Sequence, residues 1–600
     1  MWLCILLLML SIFPSLTTQP LYAQEPPPEL QARRTTTAPH IDGNVKEAVW
    51  QHAAVAHTFW QREPDEGAPA TERTEVRVLY DDEALYVAFI CYDSEPERII
   101  RRLGRRDRDT QSDEVMVDID SYFDRKTAFR FAVNAAGVKR DILISNDGDT
   151  WDSNWDAIWY ARARLRPDGW SAEFKIPYQA LRFSKKHVQT WRINFTREIP
   201  RKQEVDQWAL IRRSEPGFVS RFGVLKGLRD IRPPRPLLLI PYTAGITTRW
   251  PGNQHPAYLH RYSLDGRMGL DARYGITPST MLNLTVNPDF GQVEADEVVL
   301  NLTAFETFFP EKRPFFLEGT SIFQTVGASG GELLSTYLFY SRRIGKRPDG
   351  YYAWPDTLDM NTWYIVENPA TTPILGALKL SGKEGKWGMG FLNATTAPTY
   401  KRIRQKQTRQ EIRIRTASRS NYTVGRLQYS LPGPGSYVGA IGTAMLQEEG
   451  RRSLAGAIDW RVASSDYMFY TEGLAAFSHR QTDYGRQTGY QVQARLSSLK
   501  YEHWKGIVGF SYISPDFNVN DVGFNVLQNI FVLYSWTQIA EEHPYGPFQR
   551  MRVNVNAWKT YQVTPWLATL WGGKHQRSTN VVELLAQRHG VECGRWYGSF

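Results

Sequence analysis

Residues 287–319 read NPDFGQVEADEVVLNLTAFETFFPEKRPFFLEG, and the nature of this stretch decides how the chain around it folds. Asp289, Glu294, Asp296, Glu297, Glu306, Glu311 and Glu318 share it with a Lys312-Arg313 pair and six phenylalanines between Phe290 and Phe316. It is too polar for an ordinary core strand and too aromatic for a solvated loop. Pro310 and Pro314 bracket Glu311 to Arg313 and exclude a continuous helix or a central strand there. Aromatic rings need burial, and buried charges need partners. The expectation is an ordered, irregular segment enclosed by other parts of the chain.

Downstream, no apolar run approaches the roughly 20 residues of a helical membrane span. If this half enters lipid it does so as a closed barrel, because lipid offers no partners to an open sheet edge. Leu282, Leu284 and Val286 alternate with Asn283, Thr285 and Asn287, and Val553, Val555 and Ala557 with Asn554, Asn556 and Trp558. Weaker strand patterns cover 267–275, 374–381, 387–395, 422–430, 437–446, 467–477, 490–496, 507–512 and 531–536, predicting a barrel of roughly 12 to 16 strands. A secreted propeller or a second sandwich is the alternative. The tail from Gly573 alternates weakly and Val582 to Arg588 reads as helical, so closure and C-terminal truncation both stay open. Residues 402–419 are strongly basic, suiting lipopolysaccharide phosphates at an outer surface, a solvated hairpin or a polar lumen wall.

Upstream, Trp2 to Phe13 is an apolar run of signal-peptide length, with Ala23 at a plausible cleavage point. The predicted organisation is a leader at 1–23, a linker at 24–35, a sandwich at 36–228, a Pro-rich linker at 229–241 and a barrel-like region at 242–600. In the sandwich, Glu75 to Tyr80 and Glu114 to Asp120 alternate with period two. Ala84 to Cys91 is continuously apolar, as a strand buried on both faces is. Phe129, Phe131 and Val133 share one face. Short strands separated by turn signals indicate a β-sandwich, so the whole chain reads as all-β. Cys4, Cys91 and Cys593 have no metal spacing and form no disulfide framework. A net charge of +9 over 600 residues, without a basic helix or zinc motif, makes nucleic-acid binding a weak reading, and no nucleic-acid partner is expected.

The Ile41-Asp42-Gly43 opening, the Glu114 to Asp120 strand and the Gly169-Trp170…Glu173…Ile176-Pro177…Leu181-Arg182-Phe183 ending resemble the carbohydrate-binding module family 9-like domain. This resemblance implies a jelly-roll-like sandwich that holds sugar between aromatic faces and polar side chains at one edge. Residues 287–319, Tyr340 to Gly345 and Ser514 to Asn518 resemble domain-of-unknown-function family 5916. Its members typically join such a sandwich to a region like an outer-membrane barrel.

Trp151 and Trp155, interleaved with Asp152, Asn154 and Asp156, are the candidate sugar platform. A Trp face stacks on pyranose C–H groups while carboxylates accept from hydroxyls. Trp159, by contrast, is more simply packing, as are Trp50 and Trp170. Asp118, Asp120 and Asp124 fit either a calcium site or a solvated sheet face. The expected protein is therefore an exported outer-membrane glycan binder with lipid as its second partner, no cofactor, no resident metal and an open oligomeric state. The alternative is a glycoside hydrolase using Glu294 and Asp296, because that chemistry needs two carboxyl groups. Against it, the carboxylates of 287–319 have Lys312, Arg313, Arg342 and Arg343 available as ion-pair partners.

Overall fold

The computed structural model describes residues 26–598 except 149, 154, 184, 214, 216, 233–236, 250–261, 278, 289–305, 327–334, 360, 434, 465–467, 483–484, 499–502, 542–550, 564–578 and 589–590. The leader, Asn154, Glu294 and Asp296 lie outside the described residues. Among those described, no helix is long and apolar enough to cross a membrane, which says nothing of β-barrels.

Two sheets form the N-terminal sandwich. One runs in the order Glu29–Gln31, Gly223–Arg229, Val188–Ile199, Glu114–Asp120, Ala128–Asn134, Lys139–Ser145 and Thr150–Asp152, with Glu204–Gln207 and Trp60–Glu63 branching from it. The other contains Tyr160–Arg166, Gly169–Pro177, Ala84–Tyr92, Thr74–Tyr80, Arg33–Arg34 and Ala54–Ala56. Val115, Val117, Phe129, Phe131 and Phe195 from the first meet Val76, Val87, Phe89 and Phe174 from the second in one buried cluster. The rings of Phe89 and Phe195 cross edge to face at 5.9 Å. Trp50, Trp159 and Trp170 are fully buried, as read from the sequence.

Two linker boundaries shift. Residues 29–34 pair in parallel with Val224 to Lys226 and with Leu79 and Tyr80, and Leu30 is buried, although the preceding proline run reads as linker. The second linker ends where strand Leu237–Arg249 begins, before Pro241. Pro241 is tolerated because this strand is an edge, where a missing N–H costs no ladder bond.

The second half is an up-and-down antiparallel sheet of fifteen strands among the described residues, from Leu237–Arg249 to Val591–Gly598. These two end strands do not pair with each other among the described residues. The count lies inside the expected range. Three strands were not expected, Leu237–Arg249, Arg452–Ala463 and Val591–Gly598, and Thr579–Arg588 corrects the helical reading of Val582 to Arg588. Its Glu-Leu-Leu-Ala-Gln composition favours helix, but the ladder with Met551–Gln562 overrides propensity.

The two faces of this wall are inverted relative to a water-soluble sheet. Inward positions carry Asn283, Thr285, Lys379, Ser381, Arg426, Thr443, Asp459, Glu472, Gln491 and Ser511, all buried. Most of their charges are paired: Arg426 meets Asp459 at 2.5 and 3.0 Å, Glu472 lies between Arg461 at 3.1 Å and Arg495, and Lys379 donates to the Phe315 carbonyl. Leu264, Met268, Leu284, Phe391, Leu427, Leu446, Ile458, Val492 and Val508 point outward and are exposed.

The segment that opened the sequence reading is enclosed, as expected. Pro314–Leu317 forms one helical turn, with proline at its start, where the missing N–H costs nothing. Phe315, Phe316 and Phe323 bury against inward Leu392, Ala394, Val424, Ile441, Leu474 and Ala476. Phe308 stacks on Tyr337 at 4.7 Å and Tyr340 at 4.9 Å. The described carboxylates are paired as well. Glu306 takes a bidentate bond from Arg343 at 2.8 Å, and Glu311 pairs with Arg313 and Ser341. Glu318 accepts from Asn283 at 3.0 Å and lies 3.3 Å from Arg273.

The sandwich contacts one end of the wall. Lys383 reaches Asp124 at 2.5 Å, Lys126 donates to the Ser436 carbonyl at 2.5 Å, and Arg182 lies 3.5 Å from Glu318. Short connections lie at this end, as between Thr277 and Thr280, Glu384 and Trp387, and Ala463 and Phe469. The longer excursions, 287–373, 397–419 and 514–529, leave the sheet at the other end, and the first folds back far enough for Glu318 to meet Arg182.

Candidate functional site

The candidate site lies on the face of the nine-stranded sheet turned away from the sandwich core. Phe129 and Phe131 point into the core, so period-two alternation turns Arg130 to the opposite face. Register sets Asp118 beside Arg130, and the two form a bidentate pair at 2.7 and 2.8 Å. One step along the sheet, Arg140 pairs with Glu114, which lies opposite Glu198. Burial pushes Glu114 up to about 7 against the pull of Arg140, and burial also raises Glu198.

This charged ladder ends on aromatic rings. Trp151 lies on the edge strand opposite Ile144 and is 43% exposed. Its ring is 5.0 Å from Phe218, the Arg130 guanidinium stands over it at 4.8 Å, and its indole N–H donates to the Gly148 carbonyl at 2.6 Å. Asp147 holds this corner together. Its backbone is left-handed (φ 60°), and one carboxylate oxygen accepts the N–H groups of Phe218 at 3.1 Å and Ser220 at 2.8 Å. Burial pushes this carboxyl up to about 6, although the Ser220 and Phe218 donors act the other way. The part of the indole left exposed can stack on the C–H face of a sugar, while the Arg130 guanidinium and the buried Asp118 and Asp147 carboxylates fix the ring in place.

The expected platform is only partly assembled. Trp155 is half-buried against Phe129 and Phe131, at 5.1 and 5.8 Å, and so packs on the core side of the sheet. Trp151 and Trp155 therefore face opposite sides. Asp152 is half-buried, its carbonyl accepting the Trp155 N–H, and Asp156 is exposed and pairs with Arg106 at 2.6 Å. Sequence reasoning missed Phe218 and Arg130 as partners of Trp151. Neither is near it in sequence, and only strand register and the Asp147 turn bring them together.

Neither reading of Asp118, Asp120 and Asp124 survives. Asp118 is bound to Arg130, Asp120 accepts the N–H groups of Asp124 and Arg125, and Asp124 caps Lys126 and Thr127. Asp118 and Asp120 are fully buried, so this is no solvated face. Among the described residues, no cluster of His, Cys, Asp or Glu is arranged to hold a metal ion.

No curated protein matches the chain in sequence. Among solved structures, a carbohydrate binding module family 9 protein from Caldicellulosiruptor kristjanssonii, in complex with cellotriose, is 21% identical. That likeness covers 35% of this chain and 100% of the other, with a TM-score of 0.24. A putative carbohydrate-binding protein from Bacteroides uniformis is 12% identical over 34% of this chain and 100% of its own, with a TM-score of 0.28. OccAB1 of Acinetobacter baumannii is 6% identical over 79% of this chain and 84% of its own, with a TM-score of 0.25. The fold assignment rests on the strand pairing above. The family described as Domain of unknown function (DUF5916) matches residues 233–593, more than half of the chain, and the chain belongs to that family.

Proposed function

We propose that this chain is an outer-membrane protein whose strand wall lies in the bilayer and whose sandwich binds carbohydrate at the short-turn mouth. The inverted patterning of the wall carries the reading. Leu264 is 83% exposed and Met268 74%, while arginines and aspartates sit inside. Water penalises that arrangement and hydrocarbon favours it. Outward aromatics mark both ends of the apolar band: Tyr274, Trp387 and Trp504 on the sandwich side, and Phe477, Tyr490, Tyr512 and Phe531 on the other. Trp504 and Tyr512 are eight residues apart on one strand, or about 27 Å at ~3.4 Å per residue. A tilt of about 40° brings this to about 21 Å, close to the apolar height of such barrels.

Short turns face the periplasm in outer-membrane barrels and long loops face outward. On that rule the sandwich is periplasmic, and its ligand is a glycan present there. The exposed part of Trp151 supports sugar binding at the sandwich edge, with Arg130 held in place beside it by the buried Asp118. Asp152, Trp155 and Asp156 belong to the neighbouring surface, with Trp155 serving mainly as packing. Glu306, Glu311 and Glu318 are each committed to a guanidinium, which supports a structural role over hydrolysis.

Two measurements test this. The full chain should fractionate with outer membranes and migrate faster unboiled than boiled on a denaturing gel. Recovery in the soluble fraction without detergent overturns the membrane reading. Affinity electrophoresis of the detergent-solubilised chain against a panel of polysaccharides should show retardation without release of reducing ends. No retardation overturns carbohydrate binding, and new reducing ends establish hydrolysis.

A further inference from the structure

On the wall's outer surface, at the end away from the sandwich, arginines collect just past the apolar band. Beyond the wall, in a three-stranded sheet with Trp363–Glu367 and Thr399–Gln405, strand Glu411–Ala417 turns Glu411, Arg413 and Arg415 to one exposed face, opposite Arg404, Arg402 and Tyr400 of the neighbouring strand. Arg419 follows, its carbonyl accepting the Glu448 N–H at 3.1 Å. Further around the wall, Arg452 and Arg486 both stand opposite Gln481 in the ladders, forming one lateral row. Arg452 is exposed and sits beside Leu446 and Leu454, which are also exposed, whereas the next residue, Ser453, is buried. The row therefore lies on the same surface as the outward apolar side chains and continues it at the rim.

The acidic groups of this rim do not neutralise it. Glu367 pairs with Arg402 at 2.6 Å, Glu411 with Arg404, and Glu449 with Arg415. Glu448 is exposed nearby. Those ion pairs leave out Arg413, Arg419, Arg452 and Arg486, although Arg413 still feels the Glu411 carboxylate two residues away. Arg419, Arg452 and Arg486 border the hydrocarbon-facing band at headgroup depth, and Arg413 extends the row along the hairpin beyond it. A guanidinium binds a phosphate monoester through two parallel N–H bonds, more strongly than it binds water.

We infer that this rim binds the phosphate groups of phosphorylated lipids in the outer leaflet, with Arg413, Arg419, Arg452 and Arg486 as the contacts. The inference rests on the membrane reading above and adds a ligand class to the exterior of the wall. The ligand is committed to lipid, because the acyl chains of a bound headgroup would lie along Leu446, Leu454, Phe477 and Tyr490.

The test is native mass spectrometry of the full chain in dodecyl maltoside, titrated with bis-phosphorylated lipid A and separately with its dephosphorylated counterpart. The parent should retain the phosphorylated lipid at least ten-fold better. Replacing all four arginines with Gln should remove that preference, while Lys at the same positions should restore part of it. These side chains are exposed, and retained faster migration of unboiled protein checks that each variant is folded. Equal retention of both lipids, or an unchanged preference in the Gln variant, overturns the inference. Displacement of the lipid by millimolar inorganic phosphate alone also overturns it, assigning the rim to free anions. A chain that needs no detergent to stay in solution fails earlier, at the membrane reading, so the two failures are distinguishable.

Discussion

Phe316→Ala should undock the lumenal segment while leaving the wall intact. The ring is 2% exposed, meets Phe315 edge to face at 5.1 Å, and lies 4.3 Å beneath the Arg313 guanidinium. Truncating a buried Phe costs about 3–5 kcal/mol through lost transfer energy and the cavity left behind, and the cation–π contact is part of that loss. Because the surrounding wall residues belong to separate hydrogen-bonded strands, the loss falls on docking of residues 306–323. At about 1.4 kcal/mol per ten-fold, the undocked population should rise by roughly two to three orders of magnitude. Hydrogen exchange of the detergent-solubilised chain reads this directly. The amides of Phe316 and Leu317, which donate to the Arg313 carbonyl at 2.9 and 3.1 Å, should exchange about 100-fold faster or more. Peptides from Ser420–Ser430 should not change. Acceleration of less than about ten-fold would refute the claim that this ring holds the segment, and parallel acceleration of the wall would show one cooperative unit.

Three further outcomes follow from the geometry. Asp206 is fully buried, and burial together with the Glu204 carboxyl beside it pushes its pKa up to about 8. The folded state thus holds a proton that the unfolded state releases near pH 4. Stability of the sandwich should therefore fall as pH rises from about 4 through about 8, and Asp206→Asn should flatten the trend. Urea unfolding at pH 5.5 and 8.5 checks this, and a flat or rising parent curve contradicts it. Trp151→Ala should weaken glycan retention about ten-fold or more, the loss of ~1–2 kcal/mol of stacking. Trp155→Ala should instead lower the unfolding midpoint and spare retention, since its ring packs on Phe129 and Phe131. Removing Lys383 and Arg182 together should loosen the sandwich from the wall and raise proteolysis between the two halves. Moderate salt should mimic the effect, because ionic contacts at a partly exposed junction are screened.

Strands were legible wherever period two was strong. Glu114 to Asp120 was read with its full bounds, and Leu282 to Val286 and Val553 to Ala557 sit inside observed strands. Arg452–Ala463 escaped because its inward Ala455 and Ala457 and outward Gly456 blur the alternation. Composition also showed that residues 306–319 had to be enclosed, since rings and both charge signs occur together. What encloses them comes from inward positions spread over many strands, and no local pattern announces those. The candidate site was half legible. Trp151 could be named, but its partners come from register, with Arg130 turned outward by alternation and Phe218 brought in by the Asp147 turn. Asp118, Asp120 and Asp124 misled in the same way: their spacing suggests a cation or solvent, and their partners are backbone amides and arginines from neighbouring strands.

Arg182 belongs to the sandwich, Glu318 to the lumenal segment and Arg273 to the wall, so one carboxylate ties three bodies together. That arrangement is a mechanical linkage. A long polymer gripped by the sandwich would transmit any pull along its length through Arg182 to Glu318. The segment would then feel tension from a ligand that never enters the lumen. Force, and not only occupancy, would become an input to whether the segment stays docked on the strand wall, and the 3.5 Å contact at Arg182 would be the first to part.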